Sequence, residues 1–286
     1  MLPLRSLALL VIVAALPVTG GSAQSPAEGS LHPFAAGPAK LLFDEEFNGD
    51  KLNLKIWYRC FVWANEDTGC GYGPPYDLEW YTKHNVSVSG GFLHLTAKPH
   101  HFPKWYRFTS GLIQTGGVDC VPPTCNPPRH RPPGFKFQYG YMEMRSKFPP
   151  GKGLWPAFWL LPTDGSWPPE IDAMEWQGGT PTIDYATIHW QDKQGHHRQN
   201  GTAYDTGVDL SAAYHTYGVD WQPDVVTWYF DGTPIKTFTK QEDIPHKPMY
   251  VIVDLAVGGW ISFPDKNTHF PATMLVDYVR VWEHKP

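Results

Sequence analysis

The chain has 286 residues, of which 15% are aromatic, 13 of them Trp, and only 18% are charged, with a formal net charge of −5. The acidic balance argues against nucleic acid or an acidic polymer as partner, and no apolar run is long enough to span a bilayer. A Trp-rich, weakly charged chain suits a globular domain whose indoles mostly fill a core, with a few left on an open surface where they could stack on sugar rings.

Residues 1–24 begin with the basic Arg5, continue through the apolar run LALLVIVAALPV and end in GGSAQ, the pattern of a secretory signal peptide, so a secreted protein is expected. Residues 25–39 are rich in Pro, Gly, Ala and Ser without periodicity and are expected to form an unstructured arm; 40–286 reads as one domain, with no repeat or linker. The four cysteines, Cys60, Cys70, Cys120 and Cys125, are even in number behind that leader, so disulfides are expected. Three pairings are possible. The two local ones, Cys60 with Cys70 and Cys120 with Cys125, are favoured because each closes a short Gly- or Pro-rich loop, and the spacings lack the paired two-residue gaps of a zinc module.

LLFDEEFNG opens the folded part. NVSVSGGFLHLTAKP alternates around a Gly-Gly turn, a hairpin signal. FTSGLIQTGG, YGYMEMRSKFP, GLWPAFWLLP, YATIHW, HTYGVDWQPDVVTWYFDGTPI, PMYVIVDLAVGG and MLVDYVRVWEH follow as short strands, separated by Pro- and Gly-bearing turns such as QPD and FDGTP. No stretch has helical periodicity, so the expected fold class is all-β, a two-sheet sandwich or jelly roll. The segment from Asp119 to Gly134 is too Pro-rich for a strand and is expected to be a stiff loop, while HHRQNG, with His196 and His197, reads as a solvated loop rather than a metal site. Asn85 and Asn200 begin glycosylation sequons.

The densest chemistry lies in PPEIDAMEWQGG, Pro168 to Gly179, where Glu170, Asp172 and Glu175 stand among Ile, Ala and Met. On a regular strand Glu170 and Asp172 share a face and Glu175 takes the other; a β-bulge at Ala173 or Met174 would return Glu175 to the first. Like charges gathered on one face are costly. They make sense for glycoside hydrolysis with retention, which needs a carboxylate nucleophile and a carboxylic acid about 5 to 5.5 Å apart.

These residues, with FDEEFNG, YGYMEMRSKFPPGKGLWPAFWLLP, HTYGVDWQPDVVTWYFDG and VDYVRVW in the same order, resemble glycoside hydrolase family 16, and EIDAME resembles its bulged, laminarinase-type branch. The resemblance implies a jelly roll with an open substrate cleft on its concave sheet and an endo-acting enzyme cleaving β-1,3 or mixed β-1,3/1,4 glucan. It implies Glu170 as nucleophile, Glu175 as general acid/base and Asp172 as the assisting carboxylate, with His189 hydrogen-bonded to these acids from the next strand. Trp155 is implied as a cleft residue. Trp190 and Trp260 are expected to stack on sugar rings, Trp159 and Trp176 to pack in the core, and Pro156 to break the regular count between Trp155 and Trp159. Asp254 stands where related laminarinases carry Asn, which alters the hydrogen bonding offered there. A structural calcium is implied at Asp277, with main-chain oxygens near Glu46 and Gly91. No cofactor is expected in the chemistry, and a monomer is expected. An exopolysaccharide depolymerase, with Arg107, Arg129 and Arg131 meeting a charged substrate, a transglycosylase, and a non-catalytic glucan-binding protein are the alternatives.

Overall fold

The computed structural model describes residues 39–64, 70–71, 77–100, 106–120, 129–260 and 262–283, with only the backbone described at 118–120 and 129. The expected leader lies outside these residues, as does all but the last residue of the expected arm. In chain order the strands are β1 (Leu41–Glu45), β2 (Glu79–Tyr81), β3 (Val86–Ser89), β4 (Phe92–Pro99), β5 (Phe108–Ser110), β6 (Leu112–Gln114), β7 (Val118–Cys120), β8 (Arg129–Arg131) and β9 (Gly140–Lys147). Then come β10 (Leu154–Pro162), β11 (Glu170–Trp176), β12 (Ile183–Gln191), β13 (His197–Asp205), β14 (His215–Trp221), β15 (Val226–Phe230), β16 (Thr233–Phe238), β17 (Met249–Val257) and β18 (Ala272–Trp282). No α-helix occurs among the described residues, and no helix there is long and apolar enough to cross a membrane.

Two sheets carry the fold. A ten-stranded sheet runs β16-β15-β14-β9-β18-β4-β5-β2 with β1 on β18 and β3 on β4, and a six-stranded sheet runs β13-β12-β11-β10-β17-β6. Their facing sides alternate into one apolar core, in which Met142 and Met144 of β9 and Val279 and Val281 of β18 meet Phe158 and Leu160 of β10, Trp176 of β11 and Val251 and Val253 of β17. All-β sandwich architecture is therefore as expected. The two hairpins marked by turn chemistry close tightly: Gly90 and Gly91 (φ +61° and +81°) join Ser89 to its partner Phe92, and Asp231 and Gly232 (φ +45° and +74°) join Phe230 to Thr233.

A second, smaller core lies outside the six-stranded sheet, where Phe61, Tyr81, Leu112, Trp159, Leu161 and Tyr250 pack beside the Cys60–Cys70 disulfide. That bridge is one of the two local pairings expected. The other, to Cys125, lies outside the described residues.

Two local expectations need correction, and one of the two sequons is closed by the fold. HHRQNG is not a loop: from His197 it runs into β13, an edge strand paired with β12 from Gln191↔His197 to Ile183↔Asp205. The Pro-rich stretch holds two short strands, β7 and β8, paired to each other. Asn85 is no glycan acceptor as folded, because it is 4% exposed and its amide donates to the Thr96 carbonyl and to Thr109. Asn200 is exposed on β13.

Candidate active site

The site is organised by a bulge in β11. Against β12, Asp172 pairs with Thr187 and Glu175 with Tyr185, so Ala173 and Met174 together face the single residue Ala186. Both extra side chains turn inward, at 1% and 0% exposure, and join the main core. Glu175 thereby returns to the outer face, while Trp176 points into the core as expected. Glu170, Asp172 and Glu175 all line one open cleft of about 790 Å³ on the outer face of the six-stranded sheet.

Each carboxyl has its own partners. The indole Nε1 of Trp167 donates to Glu170 Oε2 at 2.7 Å, and that of Trp155 donates to Glu175 Oε1 at 3.0 Å. His189 stands opposite Glu170 across the ladder, with Nε2 at 3.0 Å from Asp172 Oδ2 and 3.7 Å from Glu170 Oε1. Its other nitrogen, Nδ1, lies 2.9 Å from His197 Nε2. Glu170, Asp172 and His189 bring ligand-type atoms within 4.8 Å of one another, and the hydrogen bond between His189 and Asp172 accounts for that closeness.

Electrostatics separates the acids. Burial pushes both Glu170 and Asp172 well above the ordinary carboxylate range, and the hydrogen bond between them lets the pair share a proton. Burial and then the Glu170 charge lift Glu175 to about 7, against the lowering pull of His189, Trp155 and Trp260. Asp254 on β17 is likewise lifted to about 7 by burial.

The other expected residues divide. Trp155 and Trp260 line the cleft, Trp260 half-exposed and set edge-on to Tyr185 at 5.0 Å. Trp190 does not: it shares the inward parity of Ala186 and Ile188 on β12 and packs against the core beside Phe238. Trp159 is buried, but on the cleft side. The β10–β17 register runs unbroken from Leu154↔Val257 to Pro162↔Met249, so Pro156 does not disturb the count and Trp155, Ala157, Trp159 and Leu161 share one face.

Asp254 accepts from Trp159 Nε1 at 2.7 Å and from the Tyr81 hydroxyl at 2.8 Å. Two donors aimed at one side chain call for two acceptor oxygens, which is a physical reason for Asp rather than Asn here. Tyr81 of YDLEWYT, a stretch whose Tyr and Trp residues are candidates for this surface that the sequence does not orient, lines the cleft, while Trp167, Asp77 and His197 are site residues that sequence reasoning missed. A tryptophan three residues before the first acid was the one available signal for Trp167; the others reach the cleft only through tertiary packing.

The expected calcium calls on one side chain, that of Asp277, and main-chain oxygens near Glu46 and Gly91. Asp277 is held by the Arg145 guanidinium and Glu46 by that of Arg280, and Gly91 belongs to the β3–β4 turn. No role is derived from a calcium at these positions.

A two-sheet jelly roll with three clustered acids and indole walls is the architecture of a carbohydrate-active domain. Residues 131–280 match the model of glycosyl hydrolases family 16, and the chain belongs to that family. Among its relatives, the endo-1,3-1,4-beta-glycanase EglC of Rhizobium meliloti (strain 1021) is 33% identical over 257 residues, covering 84% of this chain and 51% of that protein. The beta-glucanase of Rhodothermus marinus is 31% identical, covering 77% of this chain and 78% of that protein. The chain thus spans about half the length of EglC. Among solved structures, the endo-beta-1,3-glucanase from Pyrococcus furiosus superposes with a TM-score of 0.69 at 32% identity, over 86% of this chain and 94% of that one. The laminarinase catalytic domain from Thermotoga maritima MSB8 superposes with a TM-score of 0.71 at 28% identity, over 87% and 100%.

Proposed function

We propose that the protein is a secreted, monomeric, endo-acting glycoside hydrolase that cleaves β-1,3 or mixed β-1,3/1,4 glucan with retention of configuration. The observation that carries this reading is the bulged strand that sets Glu170, Asp172 and Glu175 on one wall of an open cleft. Glu170 is the nucleophile. Its carboxylate attacks C1 while Glu175 gives its proton to the leaving oxygen, so the glycosidic C–O bond breaks as the glycosyl ester forms. Glu175 is left ionised by that transfer, and because ester formation has removed the Glu170 charge that raised it, it stays ionised and takes a proton from the attacking water. Asp172 shares its proton with Glu170, and His189 holds Asp172 in place. No step calls on a cofactor. An open cleft walled by Trp155, Trp167 and Trp260 admits a chain at its interior bonds.

The names of the relatives support a β-glucan, and the charge of the cleft supports a neutral one. Among its described lining residues are five acids, Asp77, Glu170, Asp172, Glu175 and Asp254, and no Lys or Arg. Arg131 lies over the Tyr58 ring at 3.9 Å, and neither it nor Arg107 lines the cleft, which disfavours a charged exopolysaccharide as substrate. Mass spectrometry of products from laminarin, barley mixed-linkage glucan, agarose and an acidic polymer tests the assignment. Oligomers from the first two are expected; cleavage of the acidic polymer alone would overturn the choice of substrate.

The rate should follow a bell-shaped pH profile whose alkaline limb falls near 7, because Glu175 is active as an acid only below its raised value. The Glu175 charge raises Asp254, and because the repulsion between two like charges is reciprocal, Asp254→Asn is expected to move that limb down by about half a pH unit. An unmoved or raised limb would separate Asp254 from the titration of Glu175.

A further inference from the structure

Behind the bulge, on the core side, the opposite sheet supplies two side chains that the mechanism above does not use. Trp228 of β15 is fully buried, and its indole Nε1 donates at 2.7 Å to the main-chain carbonyl of Asp172, the last residue before the bulge. Lys236 of β16 is 8% exposed and crosses between the sheets. Its ammonium donates at 2.8 Å to the carbonyl of Ala186, the one residue opposite the bulge, and also to the carbonyl of Asn200, and lies 4.3 Å from the Trp228 ring centroid.

This ammonium makes no salt bridge with any carboxylate among the described residues. A buried cation held only by carbonyls and an indole face is an expensive way to fill a core, where an apolar side chain of similar length would serve packing better. Its charge acts instead on Asp172, across the strand: Asp172 draws the lysine upward, against the burial that lowers it to about 8, and the lysine in turn favours the ionised carboxylate. Glu170 and Glu175 on β11, His189 on β12 and Asp254 on β17 also face Asp172, and no other charged group acts on Lys236.

We propose that Trp228 and Lys236 are positioning residues of the catalytic strand. The indole holds the Asp172 carbonyl turned inward where the bulge begins, and the ammonium supplies, from behind the sheet, the positive charge that lets the Glu170–Asp172 pair carry its negative one. This inference rests on the reading of the three acids as catalytic.

Lys236→Gln keeps a donor for the carbonyls and removes the charge; Lys236→Met removes both. For each, the acid limb of kcat/KM against pH is expected to rise by about one unit, a loss of roughly tenfold below the limb, with the alkaline limb of Glu175 in place. Trp228→Phe, which keeps a ring and loses the N–H, is expected to lower kcat several-fold with KM unchanged. An acid limb in Lys236→Gln that coincides with wild type would overturn the charge role. Should the lysine variants fail to fold, NMR titration of the Lys236 side chain in the wild type and in Asp172→Asn decides the matter: loss of the carboxylate is expected to lower the lysine's titration point, and an unchanged point would overturn the coupling. That titration needs no turnover, so its failure is distinct from a failure of the catalytic reading, which would show as activity surviving the loss of Glu170.

Discussion

Glu170→Gln is expected to lower turnover of β-glucan by about four orders of magnitude or more, the scale seen when a covalent nucleophile is removed. The amide is nearly isosteric and can still accept the Trp167 indole proton through its oxygen, so the walls of the cleft keep their places. Affinity for a long oligosaccharide should then stay within a few-fold of wild type, measured by calorimetry beside the rate. The split between lost rate and kept binding is what distinguishes a nucleophile from a binding residue. A rate within tenfold of wild type would take the nucleophilic role away from Glu170.

Glu175→Ala is expected to lose about two to four orders of magnitude on polymer, because the sugar leaving group then departs without a proton. On an activated aryl glycoside the first step needs no acid, and the second, deprived of its base, limits the rate. The shortened side chain also vacates space under Trp155, whose N–H loses its acceptor. Azide or formate entering that space should attack the glycosyl enzyme directly and restore the rate at least about tenfold, giving a glycosyl azide or formate of retained configuration. The alkaline limb near 7 should vanish with the carboxyl. Absence of rescue by both anions, with the aryl substrate still bound, would count against the acid/base role.

Much of the active strand was legible because its chemistry is local. Acids among apolar residues at a spacing that fits a strand only with one extra residue require a bulge, and Ala173 and Met174 form it. Parity also settles Trp176, whose inward direction follows from that of Glu175. Trp190 misled for the opposite reason: as a tryptophan beside His189 it suggested a platform, yet adjacent residues on a strand point to opposite faces, and His189 had already claimed the cleft side. Pro156 was read as a break, but the ladder that β10 makes with β17 runs through it without a shift.

Tertiary partners stayed hidden. Tyr81 reaches Asp254 across 173 residues of chain and Trp228 reaches Asp172 across 56, and no local pattern encodes either contact. His197 was hidden by polarity, since an exposed edge strand such as β13 looks like a loop in sequence.

The bulge also gives β11 two reading frames. Up to Asp172 the cleft is written at even numbers, and from Glu175 onward at odd ones, so one strand changes phase without changing face. Removing either Ala173 or Met174 would leave acids at strict alternation, still aimed at the same wall. The longer and the shorter spacing are two spellings of one surface, and a search keyed to either alone passes over the other.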